Sequence, residues 1–165
     1  MLLTLLQDGF FASIAAIGFG SISNVPRCIF AGCGLVAAIG HITRYVLMNV
    51  CDVHIIWASL VAGFVIGVFA VLFRHVWKCP CESLAFPALL PMIPGMYAYR
   101  SVQSLILCFK LPGEDLFNHY AMIFFYNFSV CCLAILLMVF GVTFVIHLHK
   151  KKSFKAKWLR FFGRP

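Results

Sequence analysis

Long runs of hydrophobic residues, separated by short polar segments, fill most of this chain of 165 residues. A bilayer core of about 30 Å is crossed by about 20 helical residues, each adding about 1.5 Å. Five runs are long enough, and they predict an all-α, polytopic integral membrane protein with about five transmembrane helices. The predicted spans are residues 2–22, 28–48, 55–73, 84–109 and 118–148.

The fourth of these runs contains Pro87, Pro91, Pro94 and Gly95, and its Pro-x-x-Pro-Gly stretch predicts a broken helix. Each proline removes a backbone donor and clashes with the preceding turn, at a cost of about 3 kcal/mol in a helix interior. Within a membrane, a break is tolerated only where protein or water satisfies the freed backbone groups. Secondary transporters use broken helices to build binding sites near the bilayer midplane. A proline kink that only shapes helix packing is the alternative.

The composition excludes a water-soluble fold. The chain is 63% hydrophobic and 11% charged, with a mean hydropathy of +1.00, whereas soluble domains average about 25% charged residues. The net charge of +8 does not indicate nucleic-acid binding, because most of the 13 basic residues lie in residues 150–165. This segment predicts a basic amphipathic tail that binds anionic lipids, attached to a transmembrane domain of residues 1–149.

The predicted loops carry different charges on the two sides of the membrane. Because Lys and Arg are enriched in cytoplasmic loops, the distribution places the C-terminus in the cytoplasm and the N-terminus outside. One side holds Arg27, Arg74, Lys78 and the tail, and the other side holds Asp52, Lys110, Glu114 and Asp115.

Ionisable residues within the spans predict one polar site in the outer half of the membrane. Asp8, His41, Arg44, Arg100 and His119 fall at similar depths on four of the predicted helices. Intramembrane charges of this kind usually face a polar interior and serve function. Arg44 and Arg100 are predicted to hold a substrate carboxylate, because the guanidinium fork matches a carboxylate. Asp8 and His41 are predicted to carry a coupled proton.

Several short motifs, taken in order along the chain, resemble the threonine/serine exporter family. The resemblance covers residues 7 to about 148 and is greatest to the short, membrane-only subunit of the family's split, two-protein form. It departs from the family pattern in its many cysteines and phenylalanines and in its basic tail, which leaves the substrate open. The motifs are Gln7-Asp8, Gly18-Phe19, Asn24-Val25-Pro26, Gly40-His41-x-x-Arg44, residues 90–95 followed by Tyr99, and Asn127-Phe128.

The resemblance implies a small subunit of a proton-driven secondary exporter of threonine, serine or small dicarboxylates in a bacterial inner membrane. It implies a larger membrane subunit as partner, or further copies of the same chain, and it implies no enzymatic activity, cofactor or metal. The motifs also extend the predicted substrate site to Pro94, Gly95, Tyr99 and Asn127.

Three alternatives stay open. Cys79 and Cys81 flank Pro80, and paired thiols at a membrane surface serve thiol redox chemistry or bind a soft metal. A purely structural membrane subunit is the second alternative. In the third, Asp8 neutralises an arginine as a structural ion pair, and His41 hydrogen-bonds to a backbone carbonyl.

Overall fold

The hydrophobic runs fold into helices joined by short polar turns, as predicted. The structure is a computed structural model that describes the backbone of residues 2–110 and 113–162, with side chains within residues 3–110 and 113–151. Every regular element in these residues is helical. They are α1 (Leu2–Ile22), a 3-10 turn (Arg27–Ile29), α2 (Phe30–Asn49), α3 (Ile55–Trp77), α4 (Cys81–Leu89), a second 3-10 turn (Leu90–Met92), α5 (Gly95–Lys110) and α6 (Glu114–Phe162).

The turns between the first helices are made by residues with left-handed backbone. Asn24 follows α1 with φ 55°, Asp52 follows α2 with φ 50°, and Lys78 ends α3 with φ 49°. Asn and Asp tolerate this conformation better than most residues because their short polar side chains bond locally. His54 then caps α3, since its Nδ1 accepts a hydrogen bond from the Ile56 N–H at 3.4 Å. These turns fold α1, α2 and α3 back on one another.

Four helices in the described chain are long and apolar enough to cross a membrane. The predicted broken span is a pair of shorter helices, α4 and α5, with lengths of roughly 14 Å and 24 Å at 1.5 Å per residue. Neither helix alone crosses a core of about 30 Å, so a crossing here requires both. The four long helices are Leu3–Ile22, Arg27–Asn49, Ile55–Trp77 and Glu114–Lys151.

Helix α6 is longer than the predicted fifth span. It runs for 49 residues and continues through Phe162, into the segment predicted to be a cytoplasmic tail. The tail's side chains beyond Lys151 lie outside the described residues, so its amphipathic face stays a prediction.

Glycines let α3 and α6 pack backbone against backbone. A Cβ atom added at Gly63 would lie 2.4 Å from the Met138 carbonyl oxygen, and one at Gly141 would lie 2.8 Å from the Leu60 carbonyl oxygen. Both distances are too short for any side chain. The small-xxx-small face of residues 63–67, visible in the sequence, is therefore a helix contact.

Helix α4 is held inside the bundle, whereas α5 is held only on one face. Leu84, Ala85 and Ala88 of α4 are fully buried, and the helix packs against α2 and α3. Helix α5 packs mainly on α6. The break between α4 and α5 thus lies where the chain leaves the α1–α4 core.

Candidate functional site

The helix break leaves two backbone carbonyls without their usual partners. In a continuous α-helix, the Gly95 and Met96 N–H groups would bond to the carbonyls of Pro91 and Met92, four residues earlier. Gly95 instead donates to the Ile93 carbonyl at 2.8 Å, and α5 starts afresh with Tyr97 and Ala98 donating to the Pro94 carbonyl. The Pro91 and Met92 carbonyls must therefore find donors elsewhere.

Two side chains of α2 supply those donors. His41 Nε2 lies 3.1 Å from the Pro91 carbonyl oxygen, and Arg44 Nη1 donates to the Met92 carbonyl oxygen. His41 and Arg44 are three residues apart on one helix face, so they reach consecutive carbonyls of the break. The Gly-His-x-x-Arg motif thus supplies the hydrogen-bond donors for the carbonyls that the Pro-x-x-Pro-Gly motif leaves free.

A third residue, Asp8 of α1, completes this cluster from the opposite side of His41. Its Oδ2 lies 3.1 Å from His41 Nδ1, and the side chains of His41 and Asp8 are 12% and 39% exposed. Asp8 is also close enough to Arg44 for electrostatic attraction. The cluster therefore runs from a half-exposed carboxylate, through a nearly buried imidazole, to the backbone of the break.

Close packing of α2 against α3 holds the two donors in place. A Cβ atom at Gly40 would lie 2.5 Å from Cγ1 of Ile66 and 3.4 Å from Sδ of Met92. Only glycine therefore lets α2 approach both α3 and the break at the residue preceding His41. Met92 itself is fully buried, which fixes the end of the 3-10 turn.

Helix α2 also satisfies a second interruption, inside α4. Pro87 has no N–H to give to the Ser83 carbonyl, and the thiol of Cys33 donates to that carbonyl at 3.3 Å. Cys33, His41 and Arg44 all lie on α2. One helix therefore repairs the hydrogen-bond ladder of the proline-rich segment at three carbonyls.

Comparison with known proteins places this arrangement in a family. The sequence profile of the family described as "Threonine/Serine exporter, ThrE" matches residues 8–148, a stretch that contains the whole cluster and the break. The chain belongs to the threonine/serine exporter family. It is accordingly a multi-pass helical membrane protein of an exporter family.

The comparisons with individual relatives and with solved structures say less about function than the family profile does. An uncharacterized protein of Haemophilus influenzae is 36% identical over 105 residues, which is 64% of this chain and 35% of the relative. The chain thus spans about a third of the length of that curated relative. No solved structure matches the chain.

The structure brings some of the predicted site residues of this exporter-family chain together and leaves others apart. Asp8, His41 and Arg44 meet at the break. Pro94 is buried and directly precedes α5, whereas Gly95 and Arg100 are exposed on that helix. Among the described residues, the guanidinium of Arg100 has no hydrogen bond or ion pair.

The remaining predicted residues also lie outside the cluster. Tyr99 is 63% exposed on α5, whereas Asn127 is 5% exposed on α6. Asn127 donates to the Ile123 carbonyl of its own helix at 2.7 Å. His119 is exposed, and its ring packs edge-on against Tyr120. The substrate-binding roles of Tyr99, Arg100 and Asn127 stay predictions.

The thiol alternative gains no support from the geometry. All eight cysteines are free in the structure, and the described residues contain no group of three His, Cys, Asp or Glu side chains that could hold a metal. Burial, together with the thiols of Cys81 and Cys28, raises the pKa of the Cys79 thiol. Because the thiolate is the reactive species, a raised pKa makes Cys79 a poor nucleophile at neutral pH.

Proposed function

We propose that this chain is the small membrane subunit of a proton-driven secondary exporter of threonine, serine or similarly small carboxylate-bearing solutes. The observation that carries the proposal is the helix break, whose two freed carbonyls are held by a titratable His41–Asp8 pair and by Arg44. Family membership supports the class of solute. The loop charges support an inner-membrane topology with the N-terminus outside and the C-terminus in the cytoplasm.

The His41–Asp8 pair has a definite requirement for protons. Both ring nitrogens of His41 lie 3.1 Å from oxygen atoms, Oδ2 of Asp8 and the carbonyl of Pro91. Two hydrogen bonds need two protons, while a neutral imidazole carries only one. The second proton is held on His41 or on Asp8, and the pair is then electrically neutral in either case. Loss of that proton leaves one ring nitrogen with a lone pair facing an oxygen atom, either Nδ1 against the Asp8 carboxylate or Nε2 against the Pro91 carbonyl, so one of the two hydrogen bonds is lost.

An amino acid supplies a replacement for the missing proton. The ammonium group of threonine or serine has three N–H donors, which suit the ionised Asp8 carboxylate and the Nδ1 lone pair of His41. A proton and the ammonium group therefore compete for the same acceptors. Because Asp8 is 39% exposed, both have access to it. Competition at one site is what proton-for-substrate exchange requires.

Arg44 provides the anchor for the carboxylate of the same substrate. Its described hydrogen bond to the Met92 carbonyl uses one of its five N–H donors. The rest of the fork is available for a carboxylate, and Asp8 is near enough to receive the ammonium group of the same amino acid. A zwitterion would thus lie between Asp8 and Arg44, beside the break.

Small dicarboxylates are the second substrate class, and the cluster suits them less well. A dicarboxylate carries no ammonium group to replace the proton, and the described cluster offers a single arginine. Binding it requires a further cation from outside the cluster. Arg100 is the candidate from this chain.

Arg100 also supports a heteromeric assembly. It lies ten residues before Lys110 at the end of α5, or about 15 Å along the helix axis, near the middle of a core about 30 Å thick. An exposed guanidinium at that depth is costly in lipid. A larger exporter subunit, or a second copy of this chain, would cover this face and supply a polar partner.

The proposal is tested by measuring flux in proteoliposomes that contain the chain with its partner subunit. Asp8→Asn keeps the shape of the carboxylate but cannot take up the coupled proton. We expect threonine efflux driven by a pH gradient to fall at least tenfold. Exchange of threonine for labelled threonine should need a higher threonine concentration, because the ammonium group loses its carboxylate, but should continue at saturation, because Arg44 still binds the substrate carboxylate. Asp52→Asn is the matched control, because Asn also suits the left-handed backbone of that exposed turn.

Gradient-driven efflux that survives in Asp8→Asn and in His41→Gln would place the proton pathway in the partner subunit. Loss of both efflux and exchange, in a variant that assembles normally, would assign Asp8 to substrate binding without proton coupling.

A further inference from the structure

At the opposite end of the bundle, the turn between α3 and α4 and the α6 residues beside it enclose a basic cavity. Its volume is about 500 Å³, and its charged lining residues are Arg74, Lys78, Glu82 and Lys150. Three permanent cations therefore face one carboxylate. Lys150 bonds to that carboxylate, so Arg74 and Lys78 give the cavity a net positive charge.

Arg74 is placed to bind an anion. Its Nη1 lies 3.3 Å from Nδ1 of His149 and 3.8 Å from Sγ of Cys81. A guanidinium only donates, so Nδ1 of His149 is the acceptor and that imidazole is neutral. Within the described residues, no carboxylate lies within ion-pair distance of Arg74. The guanidinium is thus oriented by neutral groups, and the carboxylate that attracts it from a greater distance, Glu82, is already bonded to Lys150.

A second cavity adjoins the first and has a more apolar lining. It has a volume of about 310 Å³ and shares Glu82 and Lys150 with the basic cavity. Its remaining wall is formed mostly by apolar side chains of α4 and α6, among them Phe86, Val142 and Ile146. A polar, cationic cavity therefore lies beside a mostly apolar groove between two helices, and the Glu82–Lys150 pair lines both.

We infer that these two adjoining cavities together form a binding site for one anionic phospholipid. The phosphate of the headgroup would bind Arg74 and Lys78, and an acyl chain would lie along the groove between α4 and α6. Basic pockets between transmembrane helices on the cytoplasmic side are suited to such headgroups. The apolar extension distinguishes a lipid from a free phosphate or a dicarboxylate, neither of which has a tail to fill it.

The site links the lipid to the broken helix. Glu82 and Phe86 belong to α4, whose C-terminal end leads into the break. A lipid bound here would therefore contact α4, with its headgroup near the N-terminal end of the helix. The lipid-binding role does not depend on the proposed exporter substrate, and each of the two can be tested without the other.

The test measures lipid binding to the purified full chain in detergent by native mass spectrometry. The probes are dioleoyl phosphatidylglycerol, dioleoyl phosphatidylcholine, dihexanoyl phosphatidylglycerol and inorganic phosphate. We expect one dioleoyl phosphatidylglycerol to bind more tightly than the choline lipid and than the short-chain lipid. Arg74→Gln should weaken that binding about fivefold, as expected for one basic residue near a lipid headgroup.

Two further variants keep the test decisive. Lys78→Asn removes a charge at a position whose left-handed backbone suits Asn, and it should also weaken binding if Arg74→Gln misfolds. Lys151→Gln removes the same charge from a neighbouring exposed residue that does not line either cavity, so binding should be unchanged.

Equal losses in Lys78→Asn and Lys151→Gln would overturn the inference, since they indicate diffuse attraction to the basic surface. Equal binding of the phosphatidylglycerol and phosphatidylcholine probes would do the same. Phosphate that competes fully with the lipid, together with equal binding of long and short chains, would assign the cavity to a soluble anion instead.

Discussion

Two helix contacts in this protein are built in opposite ways. Helices α3 and α6 meet at Gly63 and Gly141 with their backbones almost touching. The described polar contact of this helix pair, between Arg74 and His149, lies at the far end of α3 from these glycines. Helix α2 meets the break between α4 and α5 through His41 and Arg44, whose side chains bond to backbone carbonyls. The first contact depends on the absence of side chains, and the second depends on polar side chains that carry charge.

The difference separates a fixed contact from an adjustable one. Dispersion between close-packed backbones does not change with pH or with substrate, so the α3–α6 seam is suited to be a rigid support. In the proposed mechanism, the contact at the break depends on the proton held between His41 and Asp8, because one of the two hydrogen bonds of His41 is lost without it. Alternating access requires one bundle to move against another, and the proposed mechanism places that movement at the break.

The largest effect is expected at Arg44. Arg44→Met leaves the Met92 carbonyl without its donor and removes the proposed anchor for the substrate carboxylate, so threonine binding should be lost. Arg44→Lys restores a donor but has no planar fork, and binding should be at least tenfold weaker. Isothermal titration of the purified complex with threonine measures both. Binding of normal affinity to Arg44→Lys would show that the fork is not used.

An intermediate effect, on thermal stability, is expected at the α3–α6 contact around Gly63 and Gly141. Gly63→Ala places a Cβ atom 2.4 Å from the Met138 carbonyl oxygen, and overpacking of this kind costs about 1–3 kcal/mol. The variant should melt at a lower temperature, while the pH dependence of the remaining transport is unchanged. Gly18→Ala is the control, because a Cβ there has no neighbour within 4 Å. A shifted pH profile in Gly63→Ala would argue against a separation of the two contacts.

The smallest effect on the chain itself is expected at Arg100, which takes part in neither contact. Arg100→Ala should leave the melting temperature nearly unchanged and reduce co-purification of the partner subunit several-fold. Lys110→Ala, at the exposed end of the same helix, is the control. Normal assembly with lost transport would instead favour the substrate-binding role predicted from the sequence.

Much of the fold was predictable from the sequence, because hydrophobic length and proline chemistry determine it directly. The long spans follow from runs of about 20 apolar residues, and the break follows from three prolines in one run. The shared face of His41 and Arg44 follows from their spacing. The hydrogen-bond partners of these two residues, the carbonyls of Pro91 and Met92, could not be predicted, because residue spacing on one helix does not show which carbonyls of another segment lie opposite. The prediction that Arg44 and Arg100 share one site rested on their similar depth in the membrane. Depth does not determine which way a side chain faces, and Arg100 lies on an exposed face of α5.

The basic cavity shows a second limit of the sequence. In the sequence, Arg74 and Lys78 indicate a cytoplasmic loop, and Lys150 belongs to the basic tail. No sequence pattern predicts that these three residues line one cavity. They come together because α6 packs along the whole of α3 and returns the end of its apolar segment to the α3–α4 turn. A signal was present in Glu82 at the start of α4, because a single acid among basic residues often has a basic partner, here Lys150.

The central claim is that one proton and the ammonium group of the substrate compete for the His41–Asp8 pair. It is tested most directly by adding threonine to the purified complex in weakly buffered solution and following proton release with a pH indicator. The account predicts release of up to one proton per bound threonine in the wild type and none in Asp8→Asn. Proton uptake, or saturating threonine binding with no release across pH 5 to pH 8, would contradict it.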